Sequence, residues 1–359
     1  MESRADEQTS PPETSLQEGR QTSWDSDSVE FSSEATRMIQ QQTRKRRVRL
    51  PIILFIATCL SCFFAGMTHW EPGEAAINLM AWSNPQSLGI PREYDLYLSN
   101  PAAELRRDLL NYASAWRIGF VYMAAMLGIL FAHEMGHFLM AVRYRVHASL
   151  PYFIPVPISP IGTFGAVIGM DGMRANRKQL FDIGLAGPLA GLVVAVPILW
   201  YGITQMDLTT PGEGSFKLDL PLAMQWMMQW LQVPGYKSGL YIYQSQLNPY
   251  FMAGWVGLLV TGLNMIPVSQ LDGGHVTYTL FGKKAHLIAR AFLVFAVIFI
   301  ITMGAYNWLL MLFLVILMRP DHPPTSDDSV PIGAFRYVLG TLSLSIPILC
   351  FPPMAFVTT

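Results

Sequence analysis

The sequence predicts an all-α polytopic membrane protein with about seven transmembrane helices. Hydrophobic residues make up 52% of the 359 residues and charged residues only 14%, whereas soluble chains carry about a quarter charged residues. Uncharged runs such as Leu50–Met67 approach the roughly 30 Å thickness of the hydrocarbon layer. Basic residues concentrate beside alternate runs, as they do on the cytoplasmic side of membrane proteins. The lipid bilayer is therefore a predicted partner. The net charge of −1 gives no overall attraction to nucleic acid, so we expect no nucleic-acid partner.

Residues 1–43 are predicted to be a disordered, acidic and Ser-rich cytoplasmic tail. Residues 1–36 contain nine Asp or Glu and eight Ser, so the segment buries too little apolar surface to offset its ordering entropy. The basic cluster Arg44–Arg49 follows and places the N-terminus in the cytoplasm. Because the tail is more acidic than organellar transit peptides, we expect a bacterial inner membrane rather than an organelle membrane.

Seven spans are predicted from the apolar runs and tested by the charges of the loops between them. The inside loops carry nine Lys or Arg and the outside loops five, in agreement with the positive-inside rule. Around residues 304–307 the alternative is one bent or re-entrant element instead of two spans joined by a hairpin. The predicted spans are Leu50–Met67, Arg117–Val142, Phe181–Gly202, Met252–Pro267, Ile288–Gly304, Tyr306–Met318 and Val338–Phe356.

The spans and the positions of the motifs divide the chain into four regions. These are the tail (1–43), the first span with an outer loop (44–116), a membrane core (117–287) and the C-terminal spans (288–359). Residues 148–172 contain four prolines, so we expect an extended, strand-like segment at the membrane edge instead of a helix. Residues 203–251 contain an amphipathic Trp/Met-rich stretch that predicts either an interfacial helix on the outer face or ordinary loop packing.

The second predicted span contains the pattern H-E-x-x-H. His133 and His137 are spaced i, i+4, so both imidazoles share one helix face and reach one zinc ion. Glu134 is then placed to act as general base toward a water molecule at the metal. Ionisable groups inside a span cost about 2.5–3.5 kcal/mol each, and a bound divalent cation offsets that cost better than a hydrogen-bonded polar cluster does.

A catalytic zinc site needs a third protein ligand and one open position. Asp272, in the segment Asn264–His275, has the correct ligand type and is predicted to lie beyond the cytoplasmic end of the fourth span, at a depth similar to that of the histidines. Asn264 is predicted to hydrogen-bond the substrate or a developing oxyanion; a helix–helix hydrogen bond is the alternative. We leave His275 out of the metal ligands, because a fourth protein ligand would close the open position.

These segments resemble the site-2 protease family of intramembrane zinc metalloproteases. The family pattern H-E-x-x-H followed by N-x-x-P-x-x-x-L-D-G is matched at every fixed position, and the likeness runs over residues 117–275. The PYFIP and GTFGA stretches look most like the subgroup with plant chloroplast and many bacterial members. The resemblance implies a three-helix catalytic core in which His133, His137 and Asp272 hold one Zn²⁺ per chain, with Glu134 and Asn264 as catalytic residues. It also implies single-span membrane proteins as substrates, in regulated intramembrane proteolysis.

Three smaller features receive predictions of their own. A substrate helix must unwind before its peptide bonds react, so Gly162–Val167 is either a strand that pairs with the opened substrate or simple core lining. Gly187 and Gly191 form a G-x-x-x-G pattern that we interpret as close packing of the core helices. Asp182 is interpreted as a charge at a helix N-terminus.

Rival functions are a scaffold with structural zinc, a metal transporter, and a membrane zincin with a glutamate as third ligand. A scaffold has no need of Glu134, and a transporter is expected to carry several intramembrane ionisable clusters where this chain has one. Substitution of Asp272 by alanine tests the glutamate alternative. The sequence leaves the oligomeric state open.

Overall fold

A computed structural model describes residues 48–73, 101–170, 174–268, 270–317 and 322–359, and it describes the side chains from residue 113 onward in the second of these ranges. The predicted tail 1–43 and most of the predicted outer loop 68–116 lie outside the described residues. The helices are α1 (Arg49–Met67), α2 (Pro101–Arg143), α3 (Arg177–Thr204), α4 (Leu222–Trp230), α5 (Pro249–Asn264), α6 (Asp272–Phe281), α7 (Ala285–Met303), α8 (Leu309–Leu317), α9 (Ala334–Ser343) and α10 (Ile346–Cys350). The strands are β1 (Tyr152–Pro155), β2 (Thr163–Val167), β3 (Phe216–Leu218), β4 (Ile242–Tyr243) and β5 (Phe356–Thr358).

Four stretches of the described chain are long and apolar enough to cross a membrane. They are Arg49–Met67, Ala113–Arg143, Arg177–Thr204 and Asp272–Met303. The first three coincide with the first three predicted spans, and α7 in the fourth stretch covers the fifth. The chain is therefore a helix-rich, multi-pass membrane protein, and the remaining three of the seven predicted spans stay a prediction.

One of those remaining spans keeps its predicted length, one is shorter than predicted and one is interrupted. Helix α5 has 16 residues, as many as the predicted span, but begins three residues earlier, and α8 has 9. The predicted span Val338–Phe356 is not one helix, because α9 ends at Ser343, α10 begins at Ile346 with Pro347 in its first turn, and Phe356 already belongs to strand β5. Pro352 and Pro353 follow α10 after Phe351 and prevent its continuation.

Helices α2, α3 and α5 pack against one another and form the core of the bundle. Small residues permit the close contact between α2 and α3: a Cβ added to Gly136 would lie 2.5 Å from the carbonyl oxygen of Ala186. Large side chains such as Trp255 and Phe251 of α5 are fully buried on the other side of α3. This arrangement brings the helices that carry the sequence motifs into direct contact.

The predicted extended segment forms an antiparallel hairpin of β1 and β2, which confirms the reading of residues 148–172 as strand-like. Tyr152 pairs with Val167 and Phe153 with Ala166. The hairpin is held by α1 and α2, because Ser61 donates to the carbonyl of Gly162 at 2.5 Å and Tyr122 donates to that of Ile161 at 2.9 Å. The first helix thus fixes the hairpin beside the core.

A second sheet lies beside α5, where Trp255 donates from Nε1 to the carbonyl of Asp219 at 2.8 Å, and it was not expected from the sequence. Its strands are ordered β4-β3-β5, all antiparallel, so the C-terminal strand pairs with a strand of the 203–251 segment. Helix α4 of that segment buries Met224 and Met228 and exposes Trp226 and Trp230. This amphipathic pattern fits the predicted interfacial helix, whose place at a membrane surface stays a prediction.

Candidate metal centre

His133, Glu134 and His137 lie within five residues of α2, next to its crossing with α3. His133 and Glu134 are buried, with 3% and 5% of their surface exposed. The helical spacing turns both imidazole rings to the same side, and their Nε2 atoms lie 3.2 Å apart. The local geometry of one helix is therefore enough to pair the two rings.

Asp272 reaches the same point from the start of α6. Its Oδ2 lies 3.2 Å from Nε2 of His133, and its Oδ1 lies 3.3 Å from Nε2 of His137. The sequence predicts a loop over residues 268–287, but Asp272 is the first residue of a helix. Gly273 allows this helix to begin against the end of α5, because a Cβ there would lie 2.0 Å from the carbonyl oxygen of Met265.

The separations of these three donors fit a zinc ion. Two ligands at about 2.0 Å from a tetrahedral ion are about 3.3 Å apart, and the observed separations are 3.2, 3.2 and 3.3 Å. Two imidazoles and one carboxylate are also the ligand types that zinc prefers in catalytic sites. Among the described residues, His133, His137 and Asp272 are the group whose ligand atoms lie close enough to hold a metal ion.

The orientation of His137 is set by the main chain of α3. Nδ1 of His137 lies 2.8 Å from the carbonyl oxygen of Ile183. Because a carbonyl only accepts, Nδ1 carries the proton and donates a hydrogen bond to this oxygen. The lone pair of the neutral ring is then on Nε2, the atom that faces Asp272. Sequence reasoning missed this contact, because a main-chain carbonyl has no sequence signature.

The predicted close packing of Gly187 and Gly191 is directed at the two histidines. A Cβ at Gly187 would lie 2.0 Å from Nε2 of His137, and one at Gly191 would lie 3.1 Å from Nδ1 of His133. The G-x-x-x-G pattern thus makes room for the imidazole rings on α2 in addition to allowing the helices to approach.

Asn264, at the end of α5, also lies at the centre. Its Nδ2 is 3.2 Å from Nε2 of His133, so the structure brings all five predicted site residues together. The contact links α5 to α2, which fits the alternative of a helix–helix hydrogen bond. When the lone pair of His133 is given to a metal ion, the amide of Asn264 needs another acceptor.

A cavity of about 270 Å³ opens at this centre. Its polar wall includes His133, Glu134, His137, Asp272 and Asn264. Its apolar wall includes Ala166 and Val167 at the end of strand β2 and Ile168, which follows the strand. Solvent and an extended chain therefore both have space beside the three ligands.

Asp182 is not the helix N-terminal charge that the sequence suggests. Helix α3 begins at Arg177, and its first turn is capped by Asn176, whose side chain accepts from the amide of Gln179 at 2.9 Å. Asp182 lies further into the helix and accepts from Arg336 of α9 at 2.6 and 2.9 Å. Tyr144 donates to the same carboxylate at 2.5 Å, so Asp182 joins α3 to α9 and to the residue that follows α2.

Comparison with known proteins places these features in one family. Residues 121–305 match the family model described as Peptidase family M50. Two Arabidopsis thaliana relatives are named probable zinc metalloprotease EGY1, chloroplastic (32% identical over 74% of this chain and 48% of the relative) and EGY2, chloroplastic (28% identical over 80% and 51%). The EGY1 protein of rice is 27% identical over 85% of this chain and 50% of its own length. The chain thus spans about half the length of the curated relatives it matches.

Proposed function

Because this chain belongs to peptidase family M50, the site-2 protease family, we propose that it is a zinc metalloendopeptidase that hydrolyses peptide bonds within the transmembrane helices of single-span membrane proteins. The observation that carries the proposal is the convergence of His133, His137 and Asp272 at the ligand separations of zinc, with Glu134 beside them on one cavity. The resemblance extends the proposal to regulated intramembrane proteolysis.

The reaction follows from the roles of the residues around the cavity. A bound zinc ion supplies Lewis-acid polarisation of the scissile carbonyl and lowers the pKa of a water molecule toward about 7. Glu134 takes the proton from the attacking water and passes it to the leaving amine. Asn264 donates from Nδ2 to the oxygen that becomes negative, because the lone pair of His133 beside it serves the metal.

Strand β2 is proposed to hold the unwound substrate. In its two-stranded sheet β2 pairs with β1 on one edge, and its residues Ala166 and Val167 line the cavity. An extended substrate segment that pairs with the other edge satisfies main-chain groups freed from the substrate helix. This arrangement explains why a strand lies beside a metal centre in a helical protein.

The location of the protein is a proposal as well. We propose that the N-terminus and the metal centre lie on the cytoplasmic side of a bacterial inner membrane, with the seven predicted spans. The relatives carry the word chloroplastic in their names and give no support for the bacterial location. Reporter fusions after Met67, Thr204 and Met303 test the sidedness of these three helix ends.

The proposal is tested by co-expression with a tagged library of single-span membrane proteins. Wild type is compared with Glu134→Gln, which is expected to retain zinc and to lose every cleavage, since a glutamine cannot accept the proton. Fragments that persist in the variant would show that Glu134 is not the base. Wild-type protein that holds zinc but cleaves no substrate would favour the scaffold.

A further inference from the structure

Residues 322–329, which we name the strap, connect α8 with α9 and lie against the core. The main-chain amide of Ser326 donates to the carbonyl of Ala175 at 3.0 Å, and that of Arg177 donates to the carbonyl of Asp327 at 3.2 Å. Tyr278 of α6 donates from its hydroxyl to Asp328 at 2.8 Å. The strap is thus fastened both to the start of α3 and to the helix that carries Asp272.

His322 of the strap forms a directed pair with His275 of α6. Nδ1 of His322 lies 2.5 Å from the carbonyl oxygen of Pro323, and a carbonyl only accepts, so Nδ1 carries the proton. Nε2 of His322 then bears the lone pair and lies 2.6 Å from Nδ1 of His275, which must donate. His322 is 8% exposed, and this burial lowers its pKa and favours the neutral ring.

The direction of this pair determines what His275 presents elsewhere. With its proton on Nδ1, a neutral His275 has a lone pair on Nε2. His275 lines the same cavity as His133, His137 and Asp272. Its ring nitrogens do not belong to the group formed by those three residues, whose ligand atoms lie within 4.8 Å of one another. His275 therefore has an unprotonated Nε2 and lines the cavity without being one of the three candidate ligands.

We propose that Nε2 of His275 accepts a hydrogen bond from a main-chain N–H of the bound substrate, and that His322 is the positioning residue that fixes the required tautomer. The inference rests on the proposed function. A substrate strand that pairs with β2 along one edge turns alternate N–H groups toward the other side. A buried N–H without an acceptor is costly, and His275 supplies that acceptor.

Three variants of the full chain in detergent micelles separate this role from simple docking of the strap. His322→Asn keeps a donor to the carbonyl of Pro323 but has no acceptor at the position of Nε2. His322→Gln places an amide oxygen near that position. Tyr278→Phe is the control, because it removes a hydrogen bond that fastens the strap while it retains the aromatic ring stacked on His322 at 4.5 Å.

The probe is fluorescein-labelled casein, an unfolded chain whose binding requires no unwinding of a helix. We expect His322→Asn to raise KM by about tenfold with kcat nearly unchanged. This pattern arises when a lost contact had stabilised the bound substrate and the transition state equally. His322→Gln and Tyr278→Phe are expected to stay within about twofold of wild type. His275→Ala should raise KM like His322→Asn, and the double variant should be no worse than His275→Ala.

Three results would overturn the proposal: an unchanged KM in His322→Asn, an equal rise in Tyr278→Phe or His322→Gln, or additive effects of the two histidine variants. Elemental analysis and thermal unfolding of each variant exclude loss of zinc or of the fold as the cause. Failure of the proposed function is a separate outcome, seen when wild type cleaves no casein. In that case the histidine pair is tested by binding alone. Fluorescence anisotropy gives the dissociation constant of labelled casein for each histidine variant in the Glu134→Gln background, and we expect the same order as for KM.

Discussion

His137 donates a hydrogen bond from Nδ1 to the main-chain carbonyl of Ile183 at 2.8 Å. The donor lies on the helix of the H-E-x-x-H motif and the acceptor on its neighbour α3, so the tautomer of a candidate zinc ligand depends on how two helices cross. Any change that separates α2 from α3 is therefore expected to affect the metal before it affects the fold.

Gly187→Ala tests this dependence. The new methyl group would lie 2.0 Å from Nε2 of His137, so either the ring or α3 must move away from the position that zinc requires. We expect purified Gly187→Ala protein to contain less than about a tenth of the zinc of wild type, since even the loss of a partner that orients a ligand typically costs ten- to a hundredfold in metal affinity. Elemental analysis of the purified protein measures this.

Gly128→Ala is the matched control for Gly187→Ala. Gly128 lies on the same helix as His133 and His137, and a Cβ there has nothing within 4 Å. The control is expected to retain wild-type zinc, and to be as stable or slightly more stable, because alanine favours a helix over glycine by about 1 kcal/mol. Equal zinc loss in the two variants would contradict a role specific to position 187.

Asp272→Ala is expected to abolish both stoichiometric zinc and cleavage. The carboxylate lies within 3.3 Å of both imidazole Nε2 atoms, and its loss leaves a site with two protein ligands, fewer than the three of a catalytic zinc site. Asp207→Ala, which removes an exposed carboxylate from the segment after α3, serves as the control. Zinc and activity that survive in Asp272→Ala would favour the alternative of a glutamate ligand.

Arg336→Ala is expected to loosen α9 from the core without removing a ligand. Arg336 donates to both carboxylate oxygens of Asp182, whose side chain is 14% exposed, and charge-assisted hydrogen bonds of this kind contribute roughly 1.5–3 kcal/mol. We expect a decrease of that size in the free energy of unfolding, measured in detergent micelles. Arg336→Lys is expected to recover part of it, because lysine keeps the charge but not the two-pronged geometry.

Local patterns in the sequence predict the parts of the site that local geometry determines. The i, i+4 spacing of His133 and His137 was sufficient to place both rings on one face, and the ligand type and position of Asp272 identified the third donor. The prolines between 148 and 160 excluded a helix and predicted an extended segment, which the structure resolves into β1 and β2.

Features that depend on long-range packing were not predictable in the same way. Helix α6 was missed because Gly273 and Gly274 reduce helix propensity, whereas contact with α3 and α9 stabilises the helix. The partners of Asp182 come from α9 and from Tyr144, which are far apart in the sequence. The pairing of His275 with His322 likewise joins residues separated by 47 positions, and a single sequence contains no signal for it.

A carboxylate beside the paired strands β3 and β5 is expected to make the stability of the fold depend on pH. Asp219, next to the end of β3, accepts from the main-chain amides of Met354 and Leu220 at 2.9 Å each, and burial raises its pKa above the ordinary value of 3.8. A carboxyl with a raised pKa in the folded state stabilises the fold most below its unfolded pKa, and this contribution is lost as the pH rises through the folded value. We expect Asp219→Asn to abolish this dependence in thermal unfolding measured from about pH 4 upward, while Asp207→Asn, an exposed control, retains it. The assignment would be contradicted if the thermal stability of the wild type rose with pH over that range and this rise were absent in Asp219→Asn.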